Sequence, residues 1–388
     1  MANVTPFTFF HSTHRVRYAP GALNELGSLA EEFGCRQAVV IADEFFIGSE
    51  VEARLGDVLG SMDPVFHGVP QHEPDTDTIE AARAFLTESQ PDLIIALGGG
   101  SAMDAAKVAR MCASNPGPIE NIVGPVGVKM MPHDSLFVCV PTTAGTGSEV
   151  SESAIISKTG SDYKMIFRSS EMTARVAILD PQLSVTAPPG VTASSGYDAV
   201  THAVEAFTSK ASGPVTDPIA VSAMERLARW LPVAYAEPGN LEARGECLIG
   251  SMQAAIAFNS AHLGLAHAIA GALGALHHVP HGLANALGLP WTMAFNHPQL
   301  GEKGDLIAGL YGGGTAAEGL SRLRHTVGLD ISLDDYVTGE AALDDVAKGA
   351  SRSGQVRVNP RESSVQEIRT ILEAMRQPTD GGQPDLNL

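Results

Sequence analysis

The strongest constraint on the fold of this chain lies at residues 180–190, "DPQLSVTAPPG", where three prolines and a glycine interrupt any helix. The patterning changes across it. Before it, short apolar runs end in polar or glycine-rich turns: "RQAVVIADE" (36–44), "DLIIALGGG" (92–100) and "SLFVCVPTT" (135–143). Continuous runs of this kind suit strands buried on both faces of a parallel sheet. Helical patterns lie between them, at 21–34 and 77–89, and such alternation predicts an open α/β sheet. After the break only helical periodicity remains, with no strand candidates. The chain has 388 residues, too many for one compact core. We therefore expect an α/β domain with a parallel sheet over 1–187 and an all-helical domain over 188–388.

Composition narrows the partners. Lys and Arg number 25 against 44 Asp and Glu, a formal net charge of −19, which repels nucleic-acid backbones and anionic membrane surfaces. No apolar run is long enough to span a bilayer. The N-terminal "MANVTPFTFFHSTHRVR" lacks the apolar segment of a signal peptide. Cys35, Cys112, Cys139 and Cys247 are scattered without paired spacing, as expected of buried thiols in a reducing compartment. The expectation is a cytoplasmic enzyme. Only the tail "QPTDGGQPDLNL" looks disordered.

Two loops suggest where a phosphate binds. "LIIALGGGSAMDAAK" runs from a strand through Gly98, Gly99 and Gly100 straight into a helix, with Ser101 placed as N-cap and Asp104 completing a capping box. Bare backbone and a helix N-terminus suit an anion, although the loop is neither G-x-G-x-x-G nor a Walker sequence. "VCVPTTAGTGSEV" also follows a strand and offers Thr142, Thr143, Thr146 and Ser148. Loops at the carboxyl ends of neighbouring strands flank the usual binding crevice of an open α/β sheet. Asp43 closes "AVVIAD", where a carboxylate accepts from a ribose 2′-hydroxyl and repels a 2′-phosphate, favouring NADH over NADPH.

The helical half carries a second constellation. "SSGYDAVTHAVEAF" sets Asp198 and His202 four apart on one helix face, with Glu205 nearby as a partner for an imidazole's other nitrogen. Downstream, an almost wholly apolar stretch holds His262, His267, His277, His278 and His281. A helix that apolar is buried, and buried imidazoles need partners. Pro280 should end the helix near His278, so that His281 opens the next one. An aspartate with three histidines makes a divalent site, and mixed N/O ligation suits Fe(II) or Zn(II).

Together, "GGGSAMDAAK", "PTTAGTGSEV", "DYKMIF", "GYDAVTHAVEAF" and "GLAHAIAGALGALHHVPHG" resemble the iron-containing (group III) alcohol dehydrogenases, over about residues 7–375. The resemblance implies a dehydroquinate synthase-like architecture, with a dinucleotide-binding domain followed by an all-helical one. It implies metal ligands at Asp198, His202, His267 and His281. It implies cofactor contacts at Asp43, Gly99, Gly100, Ser101, Asp104, Thr142, Thr143, Thr146, Lys164 and Leu183. The implied chemistry is hydride exchange between NAD and a small alcohol or aldehyde, with the divalent ion as Lewis acid. A homodimer or larger homo-oligomer is also implied.

Two departures from the family pattern shape the reading. A histidine common four residues after the third ligand is here Gly271, while His277 stands where an aromatic residue is usual. His277 is accordingly assigned as a proton relay. Phe258 and His262 fall in the stretch that lines the substrate pocket of relatives, and His262 with His277 favours an aldehyde carrying an anionic group. The rival readings are a lyase or synthase of the dehydroquinate synthase type, an enzyme like the maleylacetate reductases, and a binding protein on an inactive scaffold. The first predicts a more basic site than Lys164 and Arg168 provide.

Overall fold

A computed structural model describes residues 9, 11, 13, 15–122, 130–161, 164–377, 381–384 and 386. The chain divides into two compact units at Ala187 and Pro188.

In the first unit the strands are β1 (Arg15–Tyr18), β2 (Ala38–Asp43), β3 (Val65–Val69), β4 (Leu93–Gly98), β5 (Leu136–Pro141), β6 (Ser153–Ser157), β7 (Lys164–Arg168) and β8 (Val176–Leu179). Six of them form one parallel sheet in the order β1-β8-β5-β4-β2-β3. β6 and β7 make a separate antiparallel hairpin. The helices are α1 (Leu26–Glu32), α2 (Glu50–Leu59), α3 (Thr76–Ser89), α4 (Gly100–Ser114) and the short α5 (Pro181–Ser184).

The apolar runs of the central strands divide residue by residue between two cores. Val39, Ile41, Ile94, Ala96, Phe137 and Cys139 pack with α3, α4 and the hairpin. Val40, Ala42, Ile95, Leu97, Val138 and Val140 pack with α1 and α2 on the other face. This is the burial on both faces that an unbroken apolar strand requires. The helices that follow the adjacent strands β2 and β4 therefore cover opposite faces. The carboxyl ends of such strands are where folds of this kind bind ligands.

The second unit is helical, with no strand among its described residues: α6 (Pro189–Thr208), α7 (Thr216–Ala236), α8 (Leu241–Ala261), α9 (Leu265–His277), α10 (His281–Leu300), α11 (Glu302–Tyr311), α12 (Ala316–Thr326), α13 (Glu340–Ser351) and α14 (Val365–Ala374). α8 and α9 meet at 100°. Among the described residues, no single helix is long and apolar enough to cross a membrane. α9 and α10 share a core with α13 and α14. The tail corrects the expectation of disorder in part: Pro384 is buried, Leu386 packs against the helical core, and the Thr315 hydroxyl donates to Gln383 at 2.5 Å. Residues 378–380, 385, 387 and 388 lie outside the described residues.

Candidate functional site

α6 is the base of the second constellation. It carries Asp198 and His202 one turn apart, both buried. Two glycines seat other helix starts against it. A Cβ on Gly264, before α9, would lie 2.9 Å from Glu205 Oε1 and 3.0 Å from Asn359 Oδ1. A Cβ on Gly282, the second residue of α10, would lie 2.4 Å from the Ser194 carbonyl oxygen. Only glycine permits these approaches, which bring His267 and His281 to the α6 pair. The chain breaks between them as Pro280 requires. α9 ends at His277, His278 caps it in the left-handed region (φ 54), and α10 opens on His281.

One donor atom from each of Asp198, His202, His267 and His281 lies within 4.8 Å of all the others. From Asp198 Oδ1 the Nε2 atoms stand at 3.9 Å (His202), 3.7 Å (His267) and 3.7 Å (His281). Donors sharing one ion at about 2.0–2.2 Å have spacings of this order. His202 stacks on His267, with centroids 4.6 Å apart, and Phe258 tilts against His202 at 4.7 Å.

The surroundings fix the imidazole tautomer. Glu205 accepts from Gly264 N (2.9 Å) and Ala266 N (2.7 Å), and its Oε2 meets His267 Nδ1 at 2.6 Å. With Nδ1 engaged by a carboxylate, His267 turns Nε2 toward the other donors. Burial raises the Asp198 pKa, but His202, His281 and His267 outweigh it and hold the carboxyl well below its usual range. Burial lowers the His267 pKa, yet Asp198 and Glu205 lift it to about 9. One carboxylate and three imidazoles in this arrangement fit a divalent ion that accepts mixed N/O ligands.

The glycine loops meet at the carboxyl ends of β2, β4 and β5. A Cβ on Gly99 would touch Thr143 Oγ1 at 3.3 Å, and one on Gly100 would strike Thr146 Cγ2 at 2.6 Å. Gly98 has φ 146 and abuts Asp43, whose Cβ would lie 3.0 Å from a Cβ there. The two loops and Asp43 thus lie against one another. Thr142 N donates to the Gly98 carbonyl at 3.0 Å, which ties β5 to the first loop.

The capping of α4 needs correction, and the surroundings of the other expected cofactor residues are as follows. Ser101 does not cap α4; Gly99 does, because the helix begins two residues earlier than that cap implies, at Gly100. Asp104 makes no capping box; it accepts from Ser148 Oγ (2.6 Å) and Ile155 N (3.0 Å) and fastens α4 to the second loop and the hairpin. Lys164 pairs with Glu73 at 2.5 Å, while the other Glu73 oxygen accepts from Ser157 Oγ at 2.5 Å. Leu183 is buried in the core beneath the sheet. Asp43 Oδ1 accepts from Phe45 N (2.9 Å) and Gln71 Nε2 (3.2 Å). Asp162 and Tyr163 of "DYKMIF" lie outside the described residues.

His262 occupies an unusual position. At the corner between α8 and α9 it adopts φ 59, ψ −178, a region essentially reserved for glycine. Its N–H donates to Phe258 O at 2.8 Å, and the preceding carbonyl, Ala261 O, accepts from Ser209 Oγ at 2.5 Å. His277 ends α9, and nothing lies within 4 Å of a Cβ built on Gly271.

A family model described as "Iron-containing alcohol dehydrogenase" matches residues 13–181, and "Fe-containing alcohol dehydrogenase family, C-terminal" matches 192–376. The chain belongs to the iron-containing alcohol dehydrogenase family. It is 31% identical over 371 residues to the NAD-dependent methanol dehydrogenase of Bacillus methanolicus, covering 91% of this chain and 96% of that one. Among solved structures, a 1,3-propanediol oxidoreductase superposes with a TM-score of 0.89 at 31% identity, over 96% of this chain and 100% of that one. The sulfoacetaldehyde reductase of Bifidobacterium kashiwanohense, solved with NAD+, gives 0.86 at 28% identity, over 96% and 99%.

Sequence reasoning missed Asn285, Asn296 and Asn359. Asn359 accepts from Leu265 N at 3.2 Å, at the start of α9, and pairs with Asn296 at 2.8 and 3.1 Å. Nothing in their spacing announces this. Asn285 stands four residues after His281, on the same helix face, and that signal was available.

Proposed function

We propose that this iron-containing alcohol dehydrogenase exchanges hydride between NAD(H) and a small alcohol or aldehyde bearing an anionic group. Residues 1–187 hold the cofactor, and residues 188–388 hold the metal and substrate. The observation that carries the proposal is the convergence of Asp198, His202, His267 and His281 in one cluster, the first three buried and His281 partly exposed. When bound there, Fe(II) or Zn(II) supplies Lewis-acid polarisation of the substrate oxygen.

The chain's own residues do the rest. Glu205 holds His267 with Nε2 facing the cluster, and Phe258 covers one face of His202. The Gly99–Gly100 backbone, Ser101, Thr142, Thr143 and Thr146 line the pyrophosphate crevice, with Asp104 and Leu183 as its supports and Asp43 at the ribose. Lys164 reaches the cofactor from its pairing with Glu73. His277 carries the proton toward solvent in place of the histidine that Gly271 replaces. His277→Ala should remove one limb of the pH–rate profile, and an unchanged profile would exclude this role.

His262 is the substrate contact. A non-glycine residue in its conformation costs of order 1–3 kcal/mol, a cost that a contact made by the side chain would offset. His262→Gly should therefore raise stability while lowering kcat/KM for anionic aldehydes more than for neutral ones. The likeness to a sulfoacetaldehyde reductase supports the same substrate class. A dehydroquinate synthase-type reaction is disfavoured, because it calls for a more basic site and Arg168 is paired with Glu152. We further propose a cytoplasmic homodimer or larger homo-oligomer. Cys112, Cys139 and Cys247 are buried thiols that burial pushes up to about 12, which suits a reducing compartment.

The test is a panel of neutral and anionic aldehydes with NADH, run before chelation, after it, and after return of Fe(II) or Zn(II). Absorbance loss that disappears on chelation and returns with metal is the expected result. No net NADH oxidation with any aldehyde would overturn the proposal.

A further inference from the structure

We infer that Asn285 is a positioning residue of the metal centre, holding the Asp198 carboxylate in place as Glu205 holds His267. The inference rests on the four-ligand reading above. His267 is held by Glu205, and His202 stacks on His267 and meets Phe258 at a tilt. Asp198 needs a partner of its own, because a desolvated carboxylate is costly without hydrogen bonds.

Asn285 meets that need. It is the fifth residue of α10, one turn after His281, and is fully buried. Its Nδ2 donates to Asp198 Oδ1 at 2.6 Å and lies 3.1 Å from His267 Nε2 and 3.3 Å from His281 Nε2. One amide therefore touches three of the four ligands, from three different helices. It does so without charge. A lysine or arginine in its place would repel a cation, whereas an amide stabilises the carboxylate and leaves the site's charge to the ligands.

A second observation points the same way. Asn285 Oδ1 is buried with no hydrogen-bond partner among the described residues. An unpaired buried carbonyl costs about 1–3 kcal/mol, so a leucine of similar volume would suit the core better. The amide is held there for what its nitrogen does.

The experiment uses the full chain, stripped of metal and titrated with Zn(II) against a competing chelator, with Co(II) absorption as a second readout. Asn285→Leu should weaken Zn(II) binding about 10–100-fold and shift the Co(II) bands, since the carboxylate loses its fixed orientation. Asn285→Asp covers the case in which the leucine variant fails to fold. A second carboxylate beside Asp198 should lower the thermal midpoint of the stripped protein and enlarge the rise that Zn(II) produces. If the leucine variant folds but keeps the wild-type Zn(II) affinity and Co(II) spectrum, Asn285 is only a packing residue and the inference fails. It fails equally if the aspartate variant leaves the Zn(II)-induced rise unchanged. His267→Ala separates the two claims: if it still binds one Zn(II) tightly, the ligand reading fails instead.

Discussion

At the scale of single residues, the centre depends on partners as much as on ligands. Glu205 accepts two backbone N–H groups from the start of α9 as well as facing His267. Glu205→Gln keeps the shape but removes the charge that favours Nδ1 protonation. It should weaken metal binding about 10–100-fold, measured by chelator competition, with little change in the far-ultraviolet CD spectrum. The Glu205 role was legible because helical spacing places it on a known face. Ser101 misled because capping patterns assume that a helix starts where its hydroxyl falls. Here Gly99, in an extended conformation (φ −78, ψ −167), takes that place, and packing against Thr143 and Thr146 decides it.

Elements add strain and titration that no pattern announces. His278 ends α9 with φ 54, and its N–H and that of Val279 return to Gly274 O and Leu273 O. Such a cap favours glycine. His278→Gly should stabilise the chain by about 1 kcal/mol, seen as a higher thermal midpoint with unchanged kcat. The loop after β5 holds Glu149, which burial pushes up to about 7 from 4.5. The folded chain thus keeps a proton that the unfolded chain loses first. The stability from this group is full below pH 4.5 and is lost as the pH rises to 7. Glu149→Gln should leave stability near pH 4 alone and raise it above pH 7 by up to about 3 kcal/mol. Urea midpoints across that range would check it, and parallel curves for the two proteins would count against it. Of the strands, β2, β4 and β5 were legible from their unbroken apolar runs. β1, β3 and β8 were not, being four or five residues long. β6 and β7 alternate in burial as a hairpin covering a core does, a pattern too short to separate from loop.

For the molecule as a whole, the change of patterning at residues 180–190 coincides with the division into two units. That much is legible because proline and a switch from strand to helix periodicity act over many residues at once. What the pattern does not carry is contact between distant residues, such as Asn359 reaching the start of α9. Chelation should lower the thermal midpoint, since a ligand bound only by the folded chain at 100 times its Kd adds about 2.7 kcal/mol.

The glycine seats at Gly264 and Gly282 also set an order of events. Asp198 and His202 sit on one helix, but His267 and His281 arrive only when α9 and α10 have docked on it. Closing such distant contacts comes late and is costly in chain entropy. A passing ion thus meets two donors early and four only at the end. Zn(II) should slow unfolding and leave the refolding rate unchanged, which stopped-flow fluorescence with and without the ion would show. The choice between iron and zinc then falls to whatever the finished protein encounters, after its fold is already decided.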